Sequence, residues 1–176
     1  MALTDIGTGK YTVFTQVAAR MMGLAEDRVR MLLGDSDFPP TPGSGGSFGA
    51  GSAGSGLCDA CTNLRAALAR RLGAAPDAAV FAQGRVSGAG SETLGELAGS
   101  LGLEASGEIQ PGVIAKQFSQ QSYGGHFAEV AVNADTGEVR LCRMLGVVAA
   151  GRILNMKTAI SRGTGAMIWG VGAALH

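Results

Sequence analysis

Three stretches of this chain carry residue types at spacings that could do chemistry. The first is "IGTGK", where Gly7 and Gly9 flank Thr8 ahead of Lys10. The second is "PGSGGSFGAGSAGSG", residues 42–56, with seven glycines, no charge and a formal GxGxxG from Gly49 to Gly54. The third is Cys58 and Cys61, a CxxC. A triphosphate-binding loop needs GxxxxGK followed by Ser or Thr. Here Thr4 stands where its first glycine belongs and Tyr11 where the magnesium-binding hydroxyl belongs, so ATP hydrolysis is not expected. A dinucleotide fingerprint must follow a strand and be trailed by an acid roughly 20 residues on. This one follows "PPTPGSGGSF", and the next acid after Asp59 is Asp77, so that reading fails on context. What remains is simpler physics. Glycines expose backbone N–H groups and a helix N-terminus adds partial positive charge, so both loops are competent anion cradles. Two such loops, each opening a helix, suit one elongated phosphorylated ligand; for the Gly-Ser loop taken alone, a plain linker is the alternative.

The cysteines carry less. Cys58, Cys61 and Cys142 make an odd number, and no second Cys or His pair stands at zinc spacing, so the CxxC on a predicted helix reads as packing. No metal-ligating or catalytic residue is assigned. His126 reads as structural, Trp169 as core or subunit contact, and Met21, Met22, Met144, Met156 and Met167 as packing residues.

The cradles need elements behind them. Val13, Phe14, Val17, Ala18 and Met21 repeat at helical spacing, which predicts a helix over 11–22 ending at Gly23. Val29, Met31 and Leu33 alternate, predicting a strand over 28–33 before the prolines of "PPTP". After the Gly-rich loop, Leu57, Cys61, Leu64 and Leu68 define a second helix that stops at Gly73. "AVFAQGRVSG" predicts one or two short strands around Gly84, and "SETLGELAGSLG" a short helix capped at Ser91. "FAEVAV" and "EVRLCRMLGVV" predict a hairpin across "NADTG". Asn155 is placed to cap a last, largely apolar helix over 157–175, whose Gly163, Gly165, Gly170 and Gly172 suit a close backbone or ligand approach. No strict βαβ alternation appears, so the fold class is α+β, helices and small sheets in a two-layer sandwich.

Composition narrows the classes. A length of 176 residues suits one domain. Charged residues are 16%, below the roughly 25% usual for soluble proteins, so parts of the surface are expected to be covered by other domains or subunits. Lys plus Arg and Asp plus Glu are 14 each, which removes the electrostatic footprint of a nucleic-acid binder. No signal-peptide pattern opens the chain, and the longest apolar run falls short of the roughly 20 residues of a membrane span. The expectation is no membrane partner and a cytoplasmic location, or a periplasmic one if exported with a partner subunit.

The ordered series of motifs carries a resemblance. "TDIGTGKYTVFTQVAARMMGLAEDRVRMLLGDSDFPPTPGSGGSFGAGSAGSG", "SETLGELA", "KQFSQQSYGGHF" and "YGGHFAEVAVNADTGEVRLCRMLGVVAAGRILNMKTAISRGTGAMIWGVGAALH" together resemble the molybdopterin-binding large subunit of the xanthine dehydrogenase and aldehyde oxidase family. The bacterial three-subunit aldehyde oxidoreductase branch is the more similar. The resemblance implies a molybdenum hydroxylase that inserts a water oxygen at a carbon of a small aldehyde or N-heterocycle. Its electrons would pass to iron-sulfur and flavin (FAD) subunits or domains. It also implies that Gly7, Thr8 and Gly9 line the pterin, and that Ser44, Gly45, Gly46, Ser47, Phe48, Gly49 and Ala50 wrap the pyrophosphate and nucleotide end of the molybdopterin cofactor, commonly the cytosine dinucleotide. The helix near Lys157 would add a third edge. The cofactor carries the redox chemistry and the protein binds and orients it.

Some positions depart from the family pattern. Thr8 stands where many members have Gln, Met156 follows Asn155 where Pro is usual, and Arg162 stands at a position commonly held by a Gln facing the cofactor. The Arg162 guanidinium could pair with a cofactor phosphate or crowd the pterin. The family's catalytic glutamate lies in a Gly-Glu motif downstream of the apolar helix at which this chain stops. None of Glu104, Glu108, Glu129 or Glu138 has the matching context. The expectation is therefore one lobe of the molybdopterin-binding domain, residues 1–176, truncated at both ends relative to the family, inactive alone and dependent on the remainder of the large subunit. A free-standing, non-catalytic cofactor carrier is the alternative.

Overall fold

The structure is a computed structural model that describes residues 1–119 and 121–176. Gln120, within the matched "KQFSQQSYGGHF", lies outside the described residues. The chain divides into two compact units, Met1–Gln110 and Pro111–His176. Helices and two small antiparallel sheets make it α+β, as expected.

The first unit is built on two helices, α1 (Lys10–Met22) and α2 (Gly49–Arg71). Helix α1 buries Val13, Phe14 and Ala18 of the predicted stripe together with Ala19 and Met22, and leaves Val17 and Met21 half-buried. It ends at Gly23, whose φ of 64° lets the Leu24 N–H reach back to the Ala19 carbonyl at 2.9 Å.

Helix α2 corrects the sequence reading. It begins at Gly49, not Leu57, so half of the Gly-Ser stretch is helical. Local propensity argues against this, since Gly49, Gly51, Gly54 and Gly56 each cost roughly 1 kcal/mol relative to Ala. Packing overrides it. Leu3, Val13, Phe14, Leu33 and Ala53 form one buried cluster, and each large side chain there contributes roughly 1.5–3 kcal/mol. The small residues are what let α2 approach: a Cβ at Gly54 would stand 3.3 Å from the Phe14 ring.

A three-stranded antiparallel sheet, β1 (Val80–Ala82), β2 (Arg85–Ser87) and β3 (Ser91–Thr93), closes a second cluster that includes Met22, Cys61, Leu68, Phe81 and Val86. Gln83 and Gly84, both at positive φ (52° and 73°), make the tight turn from β1 to β2. The predicted strand over 28–33 is a second correction. Glu26–Arg28 is a 3-10 turn, and the following residues join no ladder. The alternation reported burial instead: Leu33 is buried, and Val29 and Met31 pack against the core. The cap of α3 (Leu94–Ala98) is Thr93, not Ser91, because Ser91 is taken up in β3. Thr93 and Glu96 form a capping box, and the hydrogen bonds from Thr93 hold the Glu96 carboxyl below its usual range.

The second unit holds α4 (Ile114–Gln117), a long hairpin of β4 (Tyr123–Val132) and β5 (Val139–Ala149), and α5 (Met156–Leu175). The hairpin turns as predicted: the Asn133 side-chain oxygen accepts from Asp135 and Thr136 N–H groups at 2.9 and 3.1 Å, and Gly137 sits at φ 73°. Asn155 caps α5, accepting the Thr158 N–H at 3.0 Å. His126 lies within β4 opposite Gly146. A Cβ on Gly146 would come 2.9 Å from the Met167 sulfur, which marks where α5 meets β5. Trp169, expected in a core or subunit contact, is 84% exposed, and Met156 is exposed as well. Beside Gly163, Gly165, Gly170 and Gly172 a Cβ would meet nothing within 4 Å.

Two helix-ending glycines give a controlled comparison. Gly23 (φ 64°) lies against the backbone of Phe81 and Ala82, whereas Gly73 (φ 75°), after α2, has open space around it. Gly73→Ala should cost about 1 kcal/mol, the left-handed backbone penalty alone. Gly23→Ala should cost clearly more and lower the thermal midpoint further, because the neighbouring backbone would have to move.

Candidate loop site at two helix N-termini

The first candidate loop runs directly into α1. Gly7 and Gly9 both take positive φ, 86° and 78°. This brings Thr8 and the first turn of α1 around the Asp5 carboxylate. Asp5 accepts the Thr8 N–H at 2.8 Å, the Thr8 hydroxyl at 3.2 Å and the Tyr11 N–H at 3.4 Å. Burial disfavours the Asp5 carboxylate. The hydrogen bonds from Thr8, Tyr11 and the Lys10 N–H outweigh that and hold its pKa below the ordinary range. The positive end of α1 is therefore already occupied by an anion of the chain itself. This revises the expectation of two equivalent anion cradles: N–H groups on which the first depended are taken by Asp5.

Lys10 joins this loop to the second. It is only 7% exposed. Its ammonium donates to the Thr4 carbonyl and to the Ser44 Oγ, both at 3.1 Å, and the Ser44 hydroxyl in turn donates to the same Thr4 carbonyl. The stem of Lys10 lies against Gly49, where a Cβ would stand 2.7 Å from the lysine Cε. Among the described residues the ion pair is Arg140 with Glu138, so Lys10 has no carboxylate partner.

The second loop ends differently. Gly46 and Ser47 take positive φ (53° and 59°), Phe48 is exposed, and α2 starts at Gly49 with no side-chain cap. Its first closing bond runs from the Ser52 N–H to the Phe48 carbonyl at 2.8 Å. The N–H groups of Gly49, Ala50 and Gly51 precede that bond and belong to the unsatisfied donors of a helix N-terminus. An uncapped, 23-residue helix presents partial positive charge there, a donor set that fits a phosphate group.

Of the sequence-predicted residues, Gly7, Thr8, Gly9, Ser44, Gly45, Gly46, Ser47, Phe48, Gly49 and Ala50 all lie in the first unit, and the Lys10 bridge ties their two loops together. Arg162 lies in the second unit, exposed on α5. Sequence reasoning missed Thr4, Asp5 and Lys10 as structural members. The signal for Asp5 was weak, since it stands four residues ahead of the Gly9 N-cap and reaches the first turn of α1 only because Gly7 and Gly9 fold the chain back. Cys58 and Cys61 lie on α2, with Cys61 in the core, and burial pushes its thiol pKa up.

The comparisons with known proteins agree on one family. The model of a molybdopterin cofactor-binding domain matches residues 1–176. The aldehyde oxidoreductase molybdenum-binding subunit PaoC of Escherichia coli (strain K12) is 48% identical over 174 residues, covering 98% of this chain and 24% of the relative. The probable hypoxanthine oxidase XdhD of the same strain is 31% identical over 180 residues, 97% of this chain and 19% of the relative. Among solved structures, quinoline 2-oxidoreductase from Pseudomonas putida 86 superposes with a TM-score of 0.73 at 23% identity, over 90% of this chain and 22% of that one. The Cu,Mo-CO dehydrogenase does so at 0.72 and 20%, over 94% and 22%. The chain thus spans about a quarter or less of the length of these relatives.

The Asp5 cap has a pH signature. Its folded pKa is depressed, so its stabilisation is present above the ordinary carboxylate pKa and is lost as pH falls through the folded value. Asp5→Ala should cost about 1 kcal/mol near neutral pH, the usual value of a lost cap. In thermal melts taken down a pH series, the difference from the wild type should shrink to nothing in acid.

Proposed function

Because the chain belongs to the molybdopterin cofactor-binding domain family, we propose that its two loops hold the two ends of that cofactor. Gly7, Thr8 and Gly9 line the pterin. Ser44, Gly45, Gly46, Ser47, Phe48, Gly49 and Ala50 receive the pyrophosphate, in a molybdopterin cytosine dinucleotide. The observation that supports this division is the contrast between the helix ends: neither N-cap residue supplies a side-chain bond, but the Asp5 carboxylate accepts first-turn N–H groups of α1, and no side chain does so at α2. A doubly charged diphosphate gains most from the uncapped end. Arg162, on α5, is proposed as a further residue facing the cofactor, at a phosphate or at the pterin.

The whole protein, in this reading, is a molybdenum hydroxylase of aldehydes or N-heterocycles, and residues 1–176 are one lobe of its cofactor-binding domain. The cofactor, when bound, supplies the redox centre at which substrate is oxidised. This chain's residues bind and orient it. The N–H groups at the start of α2 offset the diphosphate's charge, and the Gly7 to Gly9 turn, held by Asp5, gives the pterin a fixed wall. Electron transfer to iron-sulfur and FAD-bearing partner subunits belongs to the same reading, supported by the name of the aldehyde oxidoreductase relative as a molybdenum-binding subunit. The catalytic base is proposed to lie outside these residues. Among the described residues no helix is long and apolar enough to cross a membrane.

The test uses the full-length subunit. Replacing Gly45 and Gly46 together by Val should lower bound molybdenum and releasable nucleotide at least about tenfold, since Gly46 holds a left-handed backbone that Val resists. Unchanged content would return the loop to the status of a linker. Residues 1–176 expressed alone should show no aldehyde oxidation with an artificial electron acceptor.

A further inference from the structure

We propose that Lys10 is the positioning residue of this site, fixing the pterin-side loop and the diphosphate-side loop relative to each other without touching the cofactor. The inference rests on the reading of the loops given above. Its own support is geometric. One buried ammonium donates to the Thr4 carbonyl and the Ser44 hydroxyl at 3.1 Å each, and the Ser44 hydroxyl closes the triangle by donating to that carbonyl. Thr4 precedes Gly7 by three residues, and Ser44 is the first of the residues proposed to receive the diphosphate, so the bridge holds each loop at its upstream end. Nothing else hydrogen-bonded through a side chain joins residues 4–10 to 44–50 among the described residues.

The chemistry favours lysine here. A buried ammonium must satisfy its protons, and it has no carboxylate partner among the described residues. It is therefore held to neutral oxygens, and those oxygens are held to it. An apolar side chain of similar length would fill the space beside Gly49 yet leave the Thr4 carbonyl and Ser44 hydroxyl with only each other. The loops would then sample a range of separations, and a ligand that spans both would lose the benefit of a preformed site.

The experiment uses the full-length subunit, with bound molybdenum and released nucleotide measured per folded protein and thermal midpoints recorded in parallel. Hydrogen bonds to a charged group are worth enough that Lys10→Met should lower cofactor content roughly tenfold. Ser44→Ala should lower it in the same direction, and Ser44→Thr, which keeps the hydroxyl, should restore it. The double variant Lys10→Met with Ser44→Ala should lose no more than Lys10→Met alone, because the two side chains act as one unit. If Lys10→Met does not fold, Lys10→Gln, a shorter neutral donor that cannot reach both oxygens as the ammonium does, takes its place, with lowered content expected and wild-type content overturning the role. Wild-type content in Lys10→Met and Ser44→Ala, alongside loss in the Gly45→Val and Gly46→Val subunit, would overturn the role of Lys10 while leaving the loop reading intact. Simple additivity in the double variant would also overturn it. Full content in the Gly45→Val and Gly46→Val subunit would instead remove the loop reading, and this inference with it.

Discussion

An ammonium taken out of water must find oxygen partners or its burial is too costly to sustain, and the burial of Lys10 sets that requirement at the centre of the first unit. Its partners come from chain 34 residues downstream and 6 residues upstream. The segment before α1 and the segment before α2 must therefore arrive at the same place. Once they do, α2 begins beside the lysine stem, where Gly49 leaves room for it, and runs on past Phe14, where Gly54 does the same. The glycines that look like a linker in the sequence are the residues that let two helices start side by side.

That arrangement gives two parallel requirements opposite solutions. Each helix start has unsatisfied N–H groups and a partial positive charge. At α1 the Asp5 carboxylate places a negative charge beside that end and accepts the Lys10 and Tyr11 N–H groups of its first turn. At α2 no side chain does. A structure that invests an acid at one end and leaves the adjacent one open is asymmetric in its demand for an external anion. The proposed placement of the cofactor follows that asymmetry: the flat pterin against the closed turn, the diphosphate against the open one.

Much of this was legible in the sequence, and the failures have physical causes. Helix α1, the hairpin turn at Asn133 and the Asn155 cap were legible because each depends on local chemistry: periodicity, a turn-forming side chain, a short capping side chain. The start of α2 was not, because the glycines of 49–56 speak against helix and only Phe14 and its neighbours reverse that preference. Val29, Met31 and Leu33 alternate for burial without a neighbouring strand to pair with, so periodicity found the face and not the ladder. Of the site, the glycine loops were legible as loops. The Lys10 bridge was not, since a hydrogen bond between residues 34 apart leaves no pattern in sequence. The low charge content anticipated surface that other parts of a protein would cover, and the second unit exposes Phe127, Ile160 and Trp169.

The central claim is that the open end of α2, not the Asp5-capped end of α1, receives the cofactor's charge. Amide hydrogen exchange on the full-length subunit, with and without bound cofactor, tests it most directly. The account predicts that loading slows exchange at Gly49, Ala50 and Gly51, while the Thr8 and Tyr11 amides, already bonded to Asp5, change little. Slowing confined to the Thr8 and Tyr11 amides, with Gly49 to Gly51 unaffected, would contradict it.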